Sequence, residues 1–210
     1  MLRSVVLATL VTTVLAASLT ACGGDDAPEP STSPDPAPTS AEKPDGVSTT
    51  APGTALEHGE TATLVWRPAA DLVGALELTV EGVQERRASV FDGWVADDSL
   101  QAARPYFVRV ALTNVGEDDL AGQAVPLYLR DDRDRLGAPW TVGGDFTPCQ
   151  SGPLPEPFEA GASAEMCLVY LAPDDARIRD MVFEPTEGYD PIVWTGEVTG
   201  PPKVRSRSGR

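Results

Sequence analysis

Histidine is almost missing from this chain: His58 is the single one among 210 residues. That removes most Ser-His-Asp and Cys-His constellations, which need an imidazole beside the nucleophile. Three methionines and three cysteines leave too few soft ligands for a copper or zinc carrier. No CxxC pair is present, and no Gly-rich phosphate loop follows a predicted strand. Nothing singles out two carboxylates as a glycosidase pair. The reading is therefore a non-enzyme with no cofactor. Positive charge is scarce as well, with 16 Lys and Arg against 32 Asp and Glu, and a formal net charge of −16. Nucleic acids and anionic lipids need a basic footprint, so neither is an expected main partner. Such acidity serves solubility outside the cell.

The first 21 residues contain one charge, Arg3, then an apolar stretch from Val5 to Leu15, then small residues up to Ala21. This is the layout of an export signal, and its apolar core is short for a spanning helix. An uncleaved N-terminal anchor is the alternative. Leu19-Thr20-Ala21-Cys22 resembles the lipobox of bacterial lipoproteins. The resemblance implies diacylglyceryl transfer to the Cys22 sulfur and cleavage before it. Two or three acyl chains would then hold the protein on the extracytoplasmic face of the cell membrane, since one chain alone binds only marginally. Lys43 and Lys203 are the only lysines beside many arginines, amid abundant Ala, Gly, Asp and Val. That composition resembles products of high-GC genomes and implies an actinobacterial source.

Four segments follow: a signal peptide at 1–21, a lipidated Cys22 with a disordered linker over 22–58, a β domain at 59–199, and a disordered basic tail at 200–210. The linker holds Pro28, Pro30, Pro34, Pro36, Pro38, Pro44 and Pro52 among small and acidic residues. It has too little apolar surface to offset the entropy of ordering. As a flexible coil its roughly 35 residues span about 30 Å, the length of a stalk. His58, at its end, reads as solvated and idle.

Beyond it, short alternating runs recur between turn signals: 61–66, 74–83, 106–115, 124–131, 163–171, 180–185 and 191–198. In "GALELTVEGV", Leu76, Leu78 and Val80 alternate with Glu77, Thr79 and Glu81, as a half-buried strand does. Strands of this number and spacing predict an all-β antiparallel sandwich with one core. "YFVRVALTNVGEDDL", "LYLRDDRDRLG" and "FEAGASAEMCLVYLAPDDARIRDMVFEP" together resemble the immunoglobulin-like domain of Gram-positive surface lipoproteins, a group related to a small secreted mycobacterial immunoprotective antigen. The matching places are Asn114-Val115-Gly116, Asp131 to Gly137, Gly161 and Pro173. The resemblance implies a fold and brings no catalytic set. A long connection between Val83 and Pro105, with Phe91 and Trp94, stands outside it.

Once Cys22 is assigned to lipid, Cys149 and Cys167 remain, an even number in an exported chain, which predicts a disulfide. A metal or redox pair is the sharper alternative. Asp131, Asp132 and Asp134, or Asp97 with Asp98, or Asp118 with Asp119, would suit calcium by residue type. Arg133 and Arg135 would repel the ion, so solvated turns and no metal are expected. Trp66 and Trp194 read as core. Trp94 and Trp140 flank turns, where an exposed indole would stack on a sugar or a partner protein. The expected partners are the membrane through Cys22, and an envelope protein or wall glycan. The function read from this is a binding or protein-interaction module at the envelope, with a carbohydrate-binding lipoprotein as the alternative.

Overall fold

A computed structural model of the chain describes residues 44, 46–94, 102–142 and 146–201. Cys22, the signal segment, most of the linker, Asp97 and Asp98, and all of the tail beyond residue 201 lie outside them. The described part is an all-β sandwich. Ten strands form it: β1 (Ala55–Glu57), β2 (Thr61–Ala69), β3 (Leu72–Glu85), β4 (Arg104–Asn114), β5 (Tyr128–Asp131), β6 (Leu136–Gly137), β7 (Ser163–Ala172), β8 (Ile178–Phe183), β9 (Ile192–Thr195) and β10 (Val198–Thr199).

One sheet, A, runs β1-β9-β8-β5-β6; the other, B, runs β10-β3-β4-β7, with β2 also paired to β3. Most neighbours are antiparallel, but β1 lies parallel to β9 and β10 parallel to β3. The two inner faces share one core. Leu64, Leu76, Leu78, Val108, Val110 and Leu168 from sheet B meet Leu129, Met181, Phe183, Ile192 and Trp194 from sheet A. Each such side chain, fully buried, contributes about 1.5–3 kcal/mol over exposure. Trp66 and Trp194 are both buried, as expected.

Two departures from the sequence reading have clear causes. The linker does not run to residue 58. The Thr50 N–H donates to the Thr63 carbonyl and the Gly53 N–H to that of Asp190, and Ala55–Glu57 pairs with Val193–Thr195, so the ordered domain begins before residue 59. In β3 the pairing shifts between Val80 and Gly82. One extra residue there reverses the alternation, so the inward set runs Leu76, Leu78, Val80 and then Val83. Residues after the bulge that strict alternation would turn inward, Gly82 and Gln84, instead pair with Arg109 and Phe107, away from the main core.

Candidate functional site

The outer face of sheet B carries a second apolar cluster. On β4 and β7 the inward residues Val108, Leu168 and Tyr170 alternate with Phe107 and Val169, which point outward and are nevertheless buried. Phe91, from a 3₁₀ turn at Ala88–Phe91, covers them together with Val142, Phe146 and Cys149 from the loop after β6. Phe91 stacks on Phe146 with ring centroids 5.4 Å apart, and Phe107 meets Phe146 edge-on at 6.0 Å. The connection left unexplained in the sequence is thus half of a lid.

The other half is fastened by three means. A disulfide joins Cys149 to Cys167, with Cα atoms 5.2 Å apart. The Trp140 N–H donates to the Val169 carbonyl at 2.7 Å, and the Val169 N–H donates to Ser151 Oγ at 2.9 Å. These two bonds satisfy both backbone groups of Val169 on the edge of β7 that faces away from β4. Both tryptophans singled out in the sequence attach to this cluster, in different ways. Trp140 is half-buried and meets Phe91 edge-on at 5.8 Å. Trp94 rests an edge on Phe146 and stays 45% exposed.

Beside the cluster lies an open groove of about 560 Å³ on the same face. Gly82 forms part of its floor, and a Cβ there would meet only the Arg109 guanidinium, at 3.7 Å. Phe107, Pro148 and Cys167 give it an apolar wall. Glu81, Glu197 and His58 line it from the β3 and β10 side, Arg109 from β4. His58 is therefore half-buried rather than solvated in a linker. Its N–H donates to the Thr195 carbonyl, and its ring lies against Gly196, where a Cβ would run into it. Burial lowers the imidazole below its ordinary value, against a backbone hydrogen bond with Glu197 that raises it, so the ring is neutral at pH 7. No local signal marked His58, because its seat depends on the distant β9–β10 turn.

The acidic turn is structural, and it is not simply solvated. Asp131 is buried; its Oδ1 accepts the N–H groups of Arg133 and Arg135, and its Oδ2 accepts Arg135 Nε at 2.8 Å. Asp134 pairs with Arg179. Asp118 and Asp119 accept backbone N–H groups from Val73, Ala121 and Phe158. Among the described residues, no three or more His, Cys, Asp or Glu side chains are grouped to hold a metal ion, and no helix is long and apolar enough to cross a membrane.

No protein-family model matches the chain, and no curated protein does. Two solved structures from Bacillus subtilis resemble it. The lipoprotein candidate ycdA is 16% identical with a TM-score of 0.38, over 57% of this chain and 35% of ycdA. The yjhA protein from the same organism is 17% identical with a TM-score of 0.40, over 68% of this chain and 99% of yjhA. This chain spans about a third of ycdA and nearly all of yjhA, and neither likeness bears on the chemistry of the groove.

Proposed function

We propose that this chain is a lipoprotein held at the extracytoplasmic face of the membrane through Cys22, whose immunoglobulin-like sandwich binds an envelope partner with the outer face of sheet B. In this reading it is a binding module and not an enzyme. One observation carries it: the disulfide-fastened lid, the exposed Trp94 and the groove all occupy the same face of the same sheet. The opposite face differs. There Arg130 and Asp180, cross-strand neighbours on β5 and β8, hold each other in a two-bond ion pair at 2.7–2.8 Å. Photo-cross-linkers placed in living cells at Arg87 and Thr199, on the sheet B side, should form one discrete adduct. The same group at Tyr128 or Val193, on sheet A, should not. Equal capture from both faces, or none from either, would sink the proposal.

The exposure of Trp94 favours a second reading, in which it stacks on wall glycan. That reading requires soluble wall fragments to quench tryptophan fluorescence in the wild type and not in Trp94→Ala. Trp140→Ala is a poor probe of it, because Trp140 is wedged against Phe91.

A further inference from the structure

Strand β7 ends sheet B on the β4 side, and only part of its outer edge is closed. Its pairing with β4 is unbroken from Ser163 to Ala172. The Val169 N–H and carbonyl turn away from β4, to Ser151 and Trp140. Backbone groups of an antiparallel strand alternate between its two sides, so those of Glu165 and Cys167 turn outward as well. Among the described residues, neither has a hydrogen-bond partner for its outward N–H or carbonyl. The other edges are managed. Sheet A ends in β1 and β6, of three and two residues, and Glu60 takes the Glu57 N–H. On the far side of sheet B, β2 is bonded by Thr50 at Thr63 and carries Pro68, which has no N–H to offer. The open part of β7 instead borders a cleft of about 610 Å³. Glu165, Met166 and Cys167 line one side of it, and Thr147, Pro148 and Gln150 of the lid line the other. An unpaired edge beside a cleft is where an added strand docks, through main-chain bonds.

The side chains narrow the occupant. Glu165 is exposed on the outer face and forms no ion pair among the described residues; Arg109, diagonally across on β4, is beyond ion-pairing distance. Met166 points to the core but stays half-buried, whereas Leu168 and Tyr170 of the same row are sealed. A second copy, paired about a two-fold axis, would use the whole open stretch Ser163–Cys167 only when centred on Glu165. That sets two carboxylates directly opposite each other, in a chain of net charge −16. A foreign strand with a basic residue opposite Glu165 and an apolar one beside Met166 answers both features.

We infer that the open edge of β7 pairs antiparallel with an extended segment of a partner protein, about five residues long, with a basic residue opposite Glu165 and apolar neighbours on either side of it. This goes beyond the outer-face reading: the edge is a separate site, across sheet B from Arg87 and Thr199.

The test is an NMR titration of the purified full chain with the capped peptide acetyl-TVKVT-amide. The Glu165 and Cys167 amide signals should shift, and their exchange with solvent should slow. N-methylation of the lysine amide, whose N–H faces β7, should weaken binding about tenfold or more. N-methylation of the two valine amides, which face away, should leave the affinity within about twofold. Exchanging lysine for glutamate should weaken binding about threefold, and Glu165→Lys should reverse that preference. Glu165→Pro should abolish binding with the β4 amide signals unmoved, because the Glu165 N–H takes no part in the ladder with β4. Methylated peptides that bind alike, a charge preference that Glu165→Lys does not reverse, normal binding to Glu165→Pro, or no shift with millimolar peptide would each overturn the inference. Shifts of the same amides that grow with protein concentration alone would overturn it in favour of a second copy. If the peptide fails while cross-linking from Arg87 and Thr199 still captures a partner, only the strand pairing falls. If the peptide binds while the cross-linking fails, the outer-face reading falls and the edge stands.

Discussion

At the scale of single residues, the two turn motifs act as fasteners. Asn114 is fully buried at the end of β4; its Nδ2 donates to the carbonyls of Asp118 and Phe158, both at 2.8 Å, and its Oδ1 accepts the Gly116 N–H. Asn114→Ala would leave these buried groups without partners at about 2–3 kcal/mol. Thermal unfolding should then shift down by about 5–10 °C in a chain of this size. Asn114→Asp should not rescue it, since a carboxylate offers two carbonyls no donor. For Asp131, burial alone would raise the carboxyl, but hydrogen bonds from the Arg135 backbone and side chain and the Arg133 backbone outweigh it and hold the group below its ordinary value. A carboxyl lowered in the folded state stabilises fully above its unfolded value, near 3.9, and loses that contribution as pH falls through the folded one. Urea midpoints measured from pH 7 down to pH 2 should therefore fall most steeply below about pH 4. Asp131→Asn should be less stable at pH 7 and flatter in acid; an equally steep acid limb would refute the assignment.

At the scale of elements, what could be read in advance was whatever alternates. The long strands β2, β4 and β7, and β3 up to its bulge after Val80, were legible because each turns a regular apolar row to one core. The short ones were not: β1, β6 and β10 have two or three residues each, and only partners far along the chain make them strands. The stretch 124–131 looked like one strand, yet β5 begins at Tyr128. Pro126 can donate no ladder bond, and the Leu127 N–H turns back to the Val125 carbonyl. The pair Cys149 and Cys167 was readable by count, whereas its role, fastening a lid over Phe107 and Val169, needed the outer cluster to be seen. The bridge closes a loop between residues 18 apart, for which chain entropy gives about 3 kcal/mol. The double variant Cys149→Ser, Cys167→Ser should lose up to that amount. Amide exchange should speed up first around Phe146 to Ser151, while β3 and β4 stay protected. Uniform loss of protection across both sheets would show that the bridge supports the main core instead.

At the scale of the whole molecule, the proposed function assigns membrane attachment and binding to different parts of the chain. Cys22 precedes the first strand, Ala55–Glu57, by a long proline-rich stretch and lies outside the described residues. Acyl chains supply membrane affinity at about 0.8 kcal/mol per buried CH₂, independently of how the sandwich is packed. The chain's net charge of −16 works against adhesion to an anionic lipid surface, so electrostatics would not keep an unacylated, cleaved chain there. Cys22→Ala should accordingly move the protein from the membrane fraction to the medium, with the thermal midpoint of the sandwich unchanged. Membrane retention of Cys22→Ala would instead identify the stretch Val5 to Leu15 as an uncleaved anchor. What release should abolish is the adduct formed from Arg87 in cells, if the partner is itself confined to the envelope. An adduct that survives release would place the partner in solution and make the anchor dispensable for binding.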